Sequence, residues 1–120
     1  MDKIKKGKFG EKQALKYLVK HGYNIIDYNY YSRYGEIDII ATYMGCYVFV
    51  EVKTRSSAEY GTPAESVSIS KQRKMSKTAL DYISKKNLFD TAVRFDVVEV
   101  FLTDIGYNIN HIQNAFEEVL

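Results

Sequence analysis

The sequence predicts a single α/β domain in which one mixed β-sheet carries a helix on each face, with the element order α-β-β-β-α-β. Two observations predict this class. Two stretches repeat apolar residues at helical spacing, and other short runs are rich in branched and aromatic residues and are separated by glycine or polar turn residues. The 120 residues suffice for one domain with a substantial core, so residues 1–120 are predicted to form a single unit.

Composition excludes several classes of protein. A hydrophobic content of 46% and an aromatic content of 14% exclude a disordered or collagen-like chain. The single cysteine, Cys46, cannot form an internal disulfide, which favours a reducing compartment. The lysine-rich start is not followed by an apolar signal-peptide core, and no apolar run approaches membrane-spanning length. We therefore expect a cytoplasmic protein without a membrane partner.

The first element is a helix from Lys8 to about Lys20, ending before Gly22, where glycine is typical. Glu11 is its most informative residue. It lies on the apolar stripe, three, four and seven residues before Ala14, Leu15 and Leu18. The helix dipole alone also favours an acid in the first turn, so Glu11 is either a site residue or a simple dipole partner.

Three strands follow the first helix. Residues 24–28 form the first, and residues 29–35 are predicted to be a loop. Residues 37–41 and 48–53 are apolar runs on either side of Met44-Gly45, which predicts a β-hairpin.

Two acids interrupt the hairpin runs at equal distances from its turn. If the loop has two residues, or a symmetric four, then 43 pairs with 46 and Asp38 lies opposite Glu51. Alternation then places Asp38, Glu51 and Lys53 on one face. That face also carries Glu36, Ile40, Thr42, Tyr47 and Phe49, and the other face carries Ile37, Ile39, Ala41, Val48, Val50 and Val52, an apolar set predicted to be core. A loop of three or five residues would move the two acids to opposite faces.

Opposed carboxylates predict a bridging cation. Directly opposed side chains have Cβ atoms about 5 Å apart, and like charges at that distance destabilise a sheet. A hard divalent ion with oxygen ligands, Mg²⁺ or Mn²⁺ rather than zinc, answers this need. The plainer interpretation is a solvated edge with a cross-strand salt bridge. Because acids are rare inside strands this apolar, we favour a metal or catalytic site.

The second half of the chain begins with a long segment, residues 54–68, that contains Gly61 and Pro63 and is predicted to be a mobile loop able to grip a substrate. A second helix, residues 71–86, is predicted to be capped by Ser70. Its core stripe comprises Met75, Ala79, Tyr82 and Ile83. Strand 93–102 follows, and residues 107–112 are a candidate for a short last strand.

Basic residues form two clusters, although the net charge is only +2. The clusters are Lys3, Lys5, Lys6 and Lys8, and Lys71, Arg73, Lys74 and Lys77. Basic helices around an acidic centre would suit a polyanion such as a nucleic acid, and ordinary solvated surface is the alternative. Tyrosines near the site, namely Tyr28, Tyr30, Tyr31 and Tyr34, either stack on bases or form the edge of the core.

Taken together, these motifs resemble a known family. They comprise the Glu11 helix, Gly-Glu-Ile-Asp at 35–38, Phe-Val-Glu-Val-Lys-Thr-Arg at 49–55, Lys71, and Arg-Phe-Asp-Val-Val at 94–98. Nearly the whole chain resembles the bacterial YraN-like family, which is similar to the PD-(D/E)xK nucleases with the restriction-endonuclease-like fold and to archaeal Holliday-junction resolvases. One departure is Ile37, which stands where that superfamily has proline. Proline shapes the backbone there and supplies no ligand.

The resemblance implies a metal-dependent endonuclease acting on DNA, including branched or junction DNA. Its active centre would comprise Glu11, Asp38, Glu51 and Lys53. Mg²⁺ or Mn²⁺ would be held by Asp38, Glu51 and the carbonyl of Val52, with Glu11 acting through water or on a second ion, and Lys53 would act on the attacking water and the developing charge. The phosphate backbone would be held by Arg55, Lys71, Arg73 and Lys74. A homodimer is left open. The alternatives are a non-catalytic nucleic-acid-binding module and a scaffold whose acids only pair with lysines.

Overall fold

The computed structural model describes residues 2–56 and 67–119, which form a five-stranded mixed sheet with one helix on each face. The elements are α1 (Lys3–Lys20), β1 (Asn24–Ser32), β2 (Gly35–Tyr43), β3 (Cys46–Ser56), α2 (Ile69–Lys86), β4 (Ala92–Thr103) and β5 (Gly106–Phe116). Spatial order follows chain order, with β3 and β4 parallel and the other neighbours antiparallel. The predicted class is confirmed, and the short last strand is a full fifth strand.

Helix α1 begins earlier than the predicted Lys8. The side chain of Asp2 accepts a hydrogen bond of 2.8 Å from the backbone N–H of Lys5, so Asp2 caps the helix. The helix ends as predicted near Gly22, which has a φ of +90°.

The hairpin between β2 and β3 has the predicted register. Met44 and Gly45 both have positive φ, 50° and 78°, which is the geometry of a tight two-residue hairpin turn. Tyr43 therefore pairs with Cys46, and the ladder continues to Ile39 opposite Val50.

Strand β1 extends beyond the predicted end at residue 28 and ends at Ser32, inside the segment 29–35 predicted to be a loop. Asn29 has a φ of 51°, and pairing with β2 continues on either side of it. This irregularity breaks simple alternation in β2. Ile37 packs with Ile40 on the α2 side rather than with Ile39 on the α1 side, so the predicted face of Ile37 is wrong.

Helix α2 begins at Ile69 and its cap is Ser68 rather than the predicted Ser70, because the Ser68 hydroxyl accepts the 3.1 Å hydrogen bond from the Lys71 N–H. The helix ends at Asn87 in the left-handed conformation. Part of the predicted loop, residues 54–56, belongs to β3. Residues 57–66, which include Gly61 and Pro63, lie outside the described residues.

Both faces of the sheet are buried. The α1 side comprises Ala14, Leu18, Tyr23, Ile39, Ala41, Val48, Val50, Val98 and Val100, and the α2 side comprises Ile37, Ile40, Phe49, Val67, Met75, Ala79, Tyr82, Phe95 and Val97. Neither α1 nor α2 is apolar enough over its length to cross a bilayer. Polar residues inside this three-layer structure are therefore conspicuous, and the acids of the hairpin are among them.

Candidate carboxylate centre at the end of the hairpin

A close approach between α1 and β3 positions Glu11. A Cβ atom on Gly10 would lie 1.7 Å from Oγ1 of Thr54, so only glycine allows α1 to pack this close to the strand. The next residue, Glu11, consequently lines the same groove as Asp38.

The strands of the hairpin part just before the two predicted acids. Pairing stops at Ile39 and Val50, and an Asp38 carboxylate oxygen accepts a 2.8 Å hydrogen bond from the backbone N–H of Val52. A side chain thus replaces a backbone acceptor at this point. Asp38 and Glu51 are 9% and 4% exposed, so both carboxyl groups are held largely away from water.

The two carboxyl groups interact directly. Burial, followed by the hydrogen bond and charge of Glu51, raises the pKa of Asp38 to about 8, against the opposing effects of the Val52 N–H and Lys71. Asp38 therefore retains a proton at neutral pH when no cation is bound.

Two lysines contact Glu51. The Nζ atom of Lys71 lies 3.4 Å from a Glu51 carboxylate oxygen, and that of Lys53 lies 3.8 Å from the same oxygen. Their side chains are 32% and 35% exposed, so each reaches both the buried acid and solvent. Lys71, predicted to hold phosphate, therefore belongs to the carboxylate centre itself.

Glu11 completes the acidic side of a groove of about 410 Å³, which we call the carboxylate groove. Burial and then the charges of Asp38 and Glu36 raise the pKa of Glu11. The groove is also lined by Lys3, Lys6, Lys8 and Lys53. Three lysines of the first predicted basic cluster are thus brought together with the predicted acids Glu11 and Asp38.

Other buried acids in this chain are arranged differently. Glu99 is 1% exposed and accepts from Arg55 Nε at 3.1 Å and from the Asn110 amide at 3.2 Å. Arg55, predicted to contact phosphate, is therefore engaged with Glu99. Glu99 itself was missed, although it interrupts an apolar run in β4 as Asp38 does in β2.

Asp96, also in β4, is bound at 2.8 Å through both carboxylate oxygens by Arg94. His111 Nε2 lies 2.7 Å from one of those oxygens, and the Asn114 N–H donates at 3.0 Å to the other. Burial alone would raise the pKa of Asp96, but these hydrogen bonds hold the pKa below its ordinary value. Asp96 and Glu99 thus each have an arginine partner, whereas Asp38 faces the carboxyl group of Glu51.

The remaining predicted contacts, Arg73 and Lys74, are exposed on α2. They line a second groove of about 380 Å³ with Arg33, Tyr34, Ser70 and Lys77, which we call the α2 groove. Of the predicted stacking tyrosines, Tyr30 forms the edge of the core, with its ring against Tyr82 and its hydroxyl donating to Asp81. Tyr28 and Tyr31 are exposed.

The donor set fits a hard cation held partly by the protein. In the described part of the chain, no three His, Cys, Asp or Glu side chains converge closely enough to enclose an ion. Asp38 and Glu51 would therefore hold Mg²⁺ or Mn²⁺ together with other oxygen donors, such as the Val52 carbonyl, water and phosphate. Mg²⁺ usually binds in this way, through one or two carboxylates.

Comparison with known proteins gives the family. Residues 10–100 match the family described as uncharacterised protein family UPF0102. The chain belongs to UPF0102. The match begins just before Glu11 and includes the hairpin, α2 and most of β4, so every residue of the carboxylate centre falls within it. The resemblance to the YraN-like family is thereby confirmed.

UPF0102 relatives extend over the whole chain. The UPF0102 protein of Clostridioides difficile strain 630 is 49% identical over 116 residues, covering 97% of this chain and all of the relative. That of Trichlorobacter lovleyi is 50% identical over 113 residues, 92% of this chain and 89% of the relative. That of Caldanaerobacter subterraneus is 45% identical over 122 aligned residues, 97% of this chain and all of the relative.

Proposed function

We propose that this UPF0102 protein is a divalent-cation-dependent endonuclease that hydrolyses phosphodiester bonds in DNA. The contact between the buried Asp38 and Glu51 carboxyl groups carries the proposal. A structural role would favour the arrangement seen at Asp96 and Glu99, where an arginine neutralises each acid. Asp38 instead faces Glu51. Repulsion between two ionised carboxylates would destabilise the folded protein and would favour binding of a cation between them.

The cation has a defined role in this proposal. Bound by Asp38 and Glu51, Mg²⁺ or Mn²⁺ would polarise the phosphoryl oxygen and lower the pKa of a bound water. Glu11, across the carboxylate groove, is placed to act on the ion through water. The Val52 carbonyl would contribute an additional oxygen.

Lys53 has the geometry of a residue that acts on the reacting group. It contacts Glu51 and is about one-third exposed, so its ammonium group can hold the attacking water against the acid and offset the charge that develops on the phosphoryl oxygens. In the hydrolysis, the water oxygen bonds to phosphorus and the sugar oxygen leaves with a proton. Lys71, at a similar distance from Glu51, would position that carboxylate.

The carboxylate groove supplies attraction for the substrate. Lys3, Lys6 and Lys8 lie along one wall on the first turns of α1 and would contact phosphates without regard to base sequence. Glu11 and Asp38 line the same groove, so a backbone attracted by the lysines would lie beside these acids.

The test combines cation binding with cleavage. Millimolar Mn²⁺ should raise the melting temperature of the wild type, because a ligand that binds only the folded state stabilises it, and Glu51→Gln should abolish the rise. Wild type with Mn²⁺ should cleave at least one member of a panel of duplex, single-stranded, flap and four-way-junction DNA.

Lys53→Met separates catalysis from cation binding. It should retain the cation-induced rise and lose cleavage, whereas the control Lys85→Met, which removes a lysine paired with Asp81 on the far part of α2, should retain both. Cleavage by Lys53→Met at the wild-type rate would refute the role of Lys53. Binding of the panel without cleavage of any member by wild type would instead support a non-catalytic nucleic-acid-binding module.

A further inference from the structure

Hydrogen bonds within the protein fix one wall of the α2 groove. The Ser32 hydroxyl accepts from the Tyr34 N–H at 3.1 Å and lies 3.0 Å from the Thr78 hydroxyl, which donates at 2.8 Å to the carbonyl of Lys74. This chain of hydrogen bonds ties the turn between β1 and β2 to α2, and Thr78 is fully buried.

Gly35 brings the same turn close to the helix. A Cβ atom at Gly35 would lie 3.4 Å from Cβ of Lys74, and its φ of +155° favours glycine. The side chains that precede it, Arg33 and Tyr34, are consequently presented beside α2.

The α2 groove concentrates positive charge, and the nearby acid Asp81 interacts with Arg33 electrostatically without contacting it as an ion pair. In the described ranges, no carboxylate forms an ion pair with Arg33, Arg73, Lys74 or Lys77. Arg33 and Lys77 lie over the ring of Tyr34, 4.9 Å and 5.7 Å from its centroid. The ring thus holds two cations near each other in a chain whose net charge is only +2, and an anion bound beside them would be attracted by both.

The position of this charge relates it to the carboxylate centre. Lys71 contacts Glu51, and Lys74 and Lys77 follow it by one and nearly two turns of α2, a rise of about 9 Å. The carboxylate groove is lined by α1 and β3, whereas the α2 groove lies on the opposite layer. The two grooves share no lining residue, so a strand in the carboxylate groove leaves the α2 groove available.

We propose that the α2 groove binds the phosphate backbone of a second strand, so that the preferred ligand is a duplex-containing nucleic acid. Lys71, which contacts Glu51, and Lys77, which lines the α2 groove, lie about 9 Å apart along α2, within the width of about 12 Å that separates the two backbones across the major groove of a duplex. The proposal rests on the proposed function for the placement of the first strand. It adds Arg33, Tyr34 and Lys77 to the residues that recognise substrate.

The test uses two matched double variants. Arg73→Gln with Lys77→Gln removes two charges from the α2 groove, and Lys16→Gln with Lys20→Gln removes two charges at the same spacing from exposed positions on α1. Affinities for a short DNA duplex and for one of its strands are measured without divalent cation over a series of salt concentrations. Thermal melting confirms that each variant is folded.

The α2 double variant should bind duplex about tenfold or more weakly, and the slope of log affinity against log salt should fall by about 1.8, because each phosphate contact contributes about 0.9. Its affinity for the single strand and both affinities of the α1 control should match wild type. Equal losses on single strand and duplex, equal losses in the control, or no loss on duplex would each overturn the proposal.

The outcome is separable from that of the proposed function. Selective loss of duplex binding, with no cleavage by wild type in Mn²⁺, would retain the second-strand site and reject the nuclease. Cleavage by wild type, with unchanged duplex binding in the α2 double variant, would reject the second-strand site alone.

Discussion

Replacing Asp38 with asparagine should abolish the pH dependence that this one carboxyl group imposes on folding. The pKa of Asp38 is raised, mainly by burial, from an ordinary value of 3.8 to about 8. The folded protein therefore keeps a proton that the unfolded chain releases between these values. Stability from this group is present at low pH and is lost as pH rises toward 8, because the folded state binds more protons.

The size of the change in stability follows from how far the pKa of Asp38 is raised. Between the ordinary pKa of 3.8 and the raised pKa of about 8, each pH unit should lower the free energy of unfolding of wild type by about 1.4 kcal/mol relative to a non-titrating variant. Asparagine has nearly the shape of aspartic acid and can still accept from the Val52 N–H. The difference in stability between Asp38→Asn and wild type should therefore shift in favour of the variant by up to about 4 kcal/mol between pH 5 and pH 8.

The assay is urea denaturation of both proteins at several pH values, in the presence of a chelator so that no divalent cation binds. Asp81→Asn is the control, because a hydrogen bond from Tyr30 lowers the pKa of Asp81 and its titration lies in the acid range. A difference that stays constant from pH 5 to 8 would show only a damaged hydrogen bond, and it would refute the raised pKa and the argument that this site binds positive charge.

Two further predictions concern packing and the second buried acid. Gly10→Ala should destabilise the protein by about 1–3 kcal/mol, because the added Cβ overlaps Thr54. The control Gly7→Ala has open space around it and should gain up to about 1 kcal/mol from helix propensity. Equal effects of the two variants in thermal melts would contradict the close approach of α1 to β3. Asp96→Asn should cost about 3–5 kcal/mol in denaturant, because it leaves Arg94 without its partner, and the exposed control Asp104→Asn should stay within about 0.5 kcal/mol; a small loss for Asp96→Asn would show that Asp96 does not anchor that network.

The parts of the fold that depend on local chemistry were predictable from the sequence. Met44-Gly45 determines a two-residue turn, and with it the register that brings Asp38 to Glu51. The face of Ile37 was not predictable, because it depends on the left-handed backbone of Asn29 in a neighbouring strand. Periodicity assumes regular strands and carries no information about such a deviation.

In the candidate site, too, some features could be predicted from the sequence and others could not. Acids inside apolar strands identified Asp38 and Glu51, and the same criterion applied to β4 would have identified Asp96 and Glu99. The partners of each acid are contacts between elements distant in sequence, and a sequence pattern does not reveal them. Arg55 was therefore predicted to bind phosphate, although the structure pairs it with Glu99.

The hydrogen bond from Val52 to Asp38 makes one backbone amide a spectroscopic reporter of the site. Its proton is held by the carboxyl group whose charge state is in question, so the chemical shift of the Val52 amide should follow Asp38 as it loses its proton. Because no neighbouring carbonyl on β2 substitutes as acceptor, any event that draws the Asp38 oxygen away should also speed the exchange of that amide with solvent. A single resonance can thus report occupancy of the site without any substrate being present.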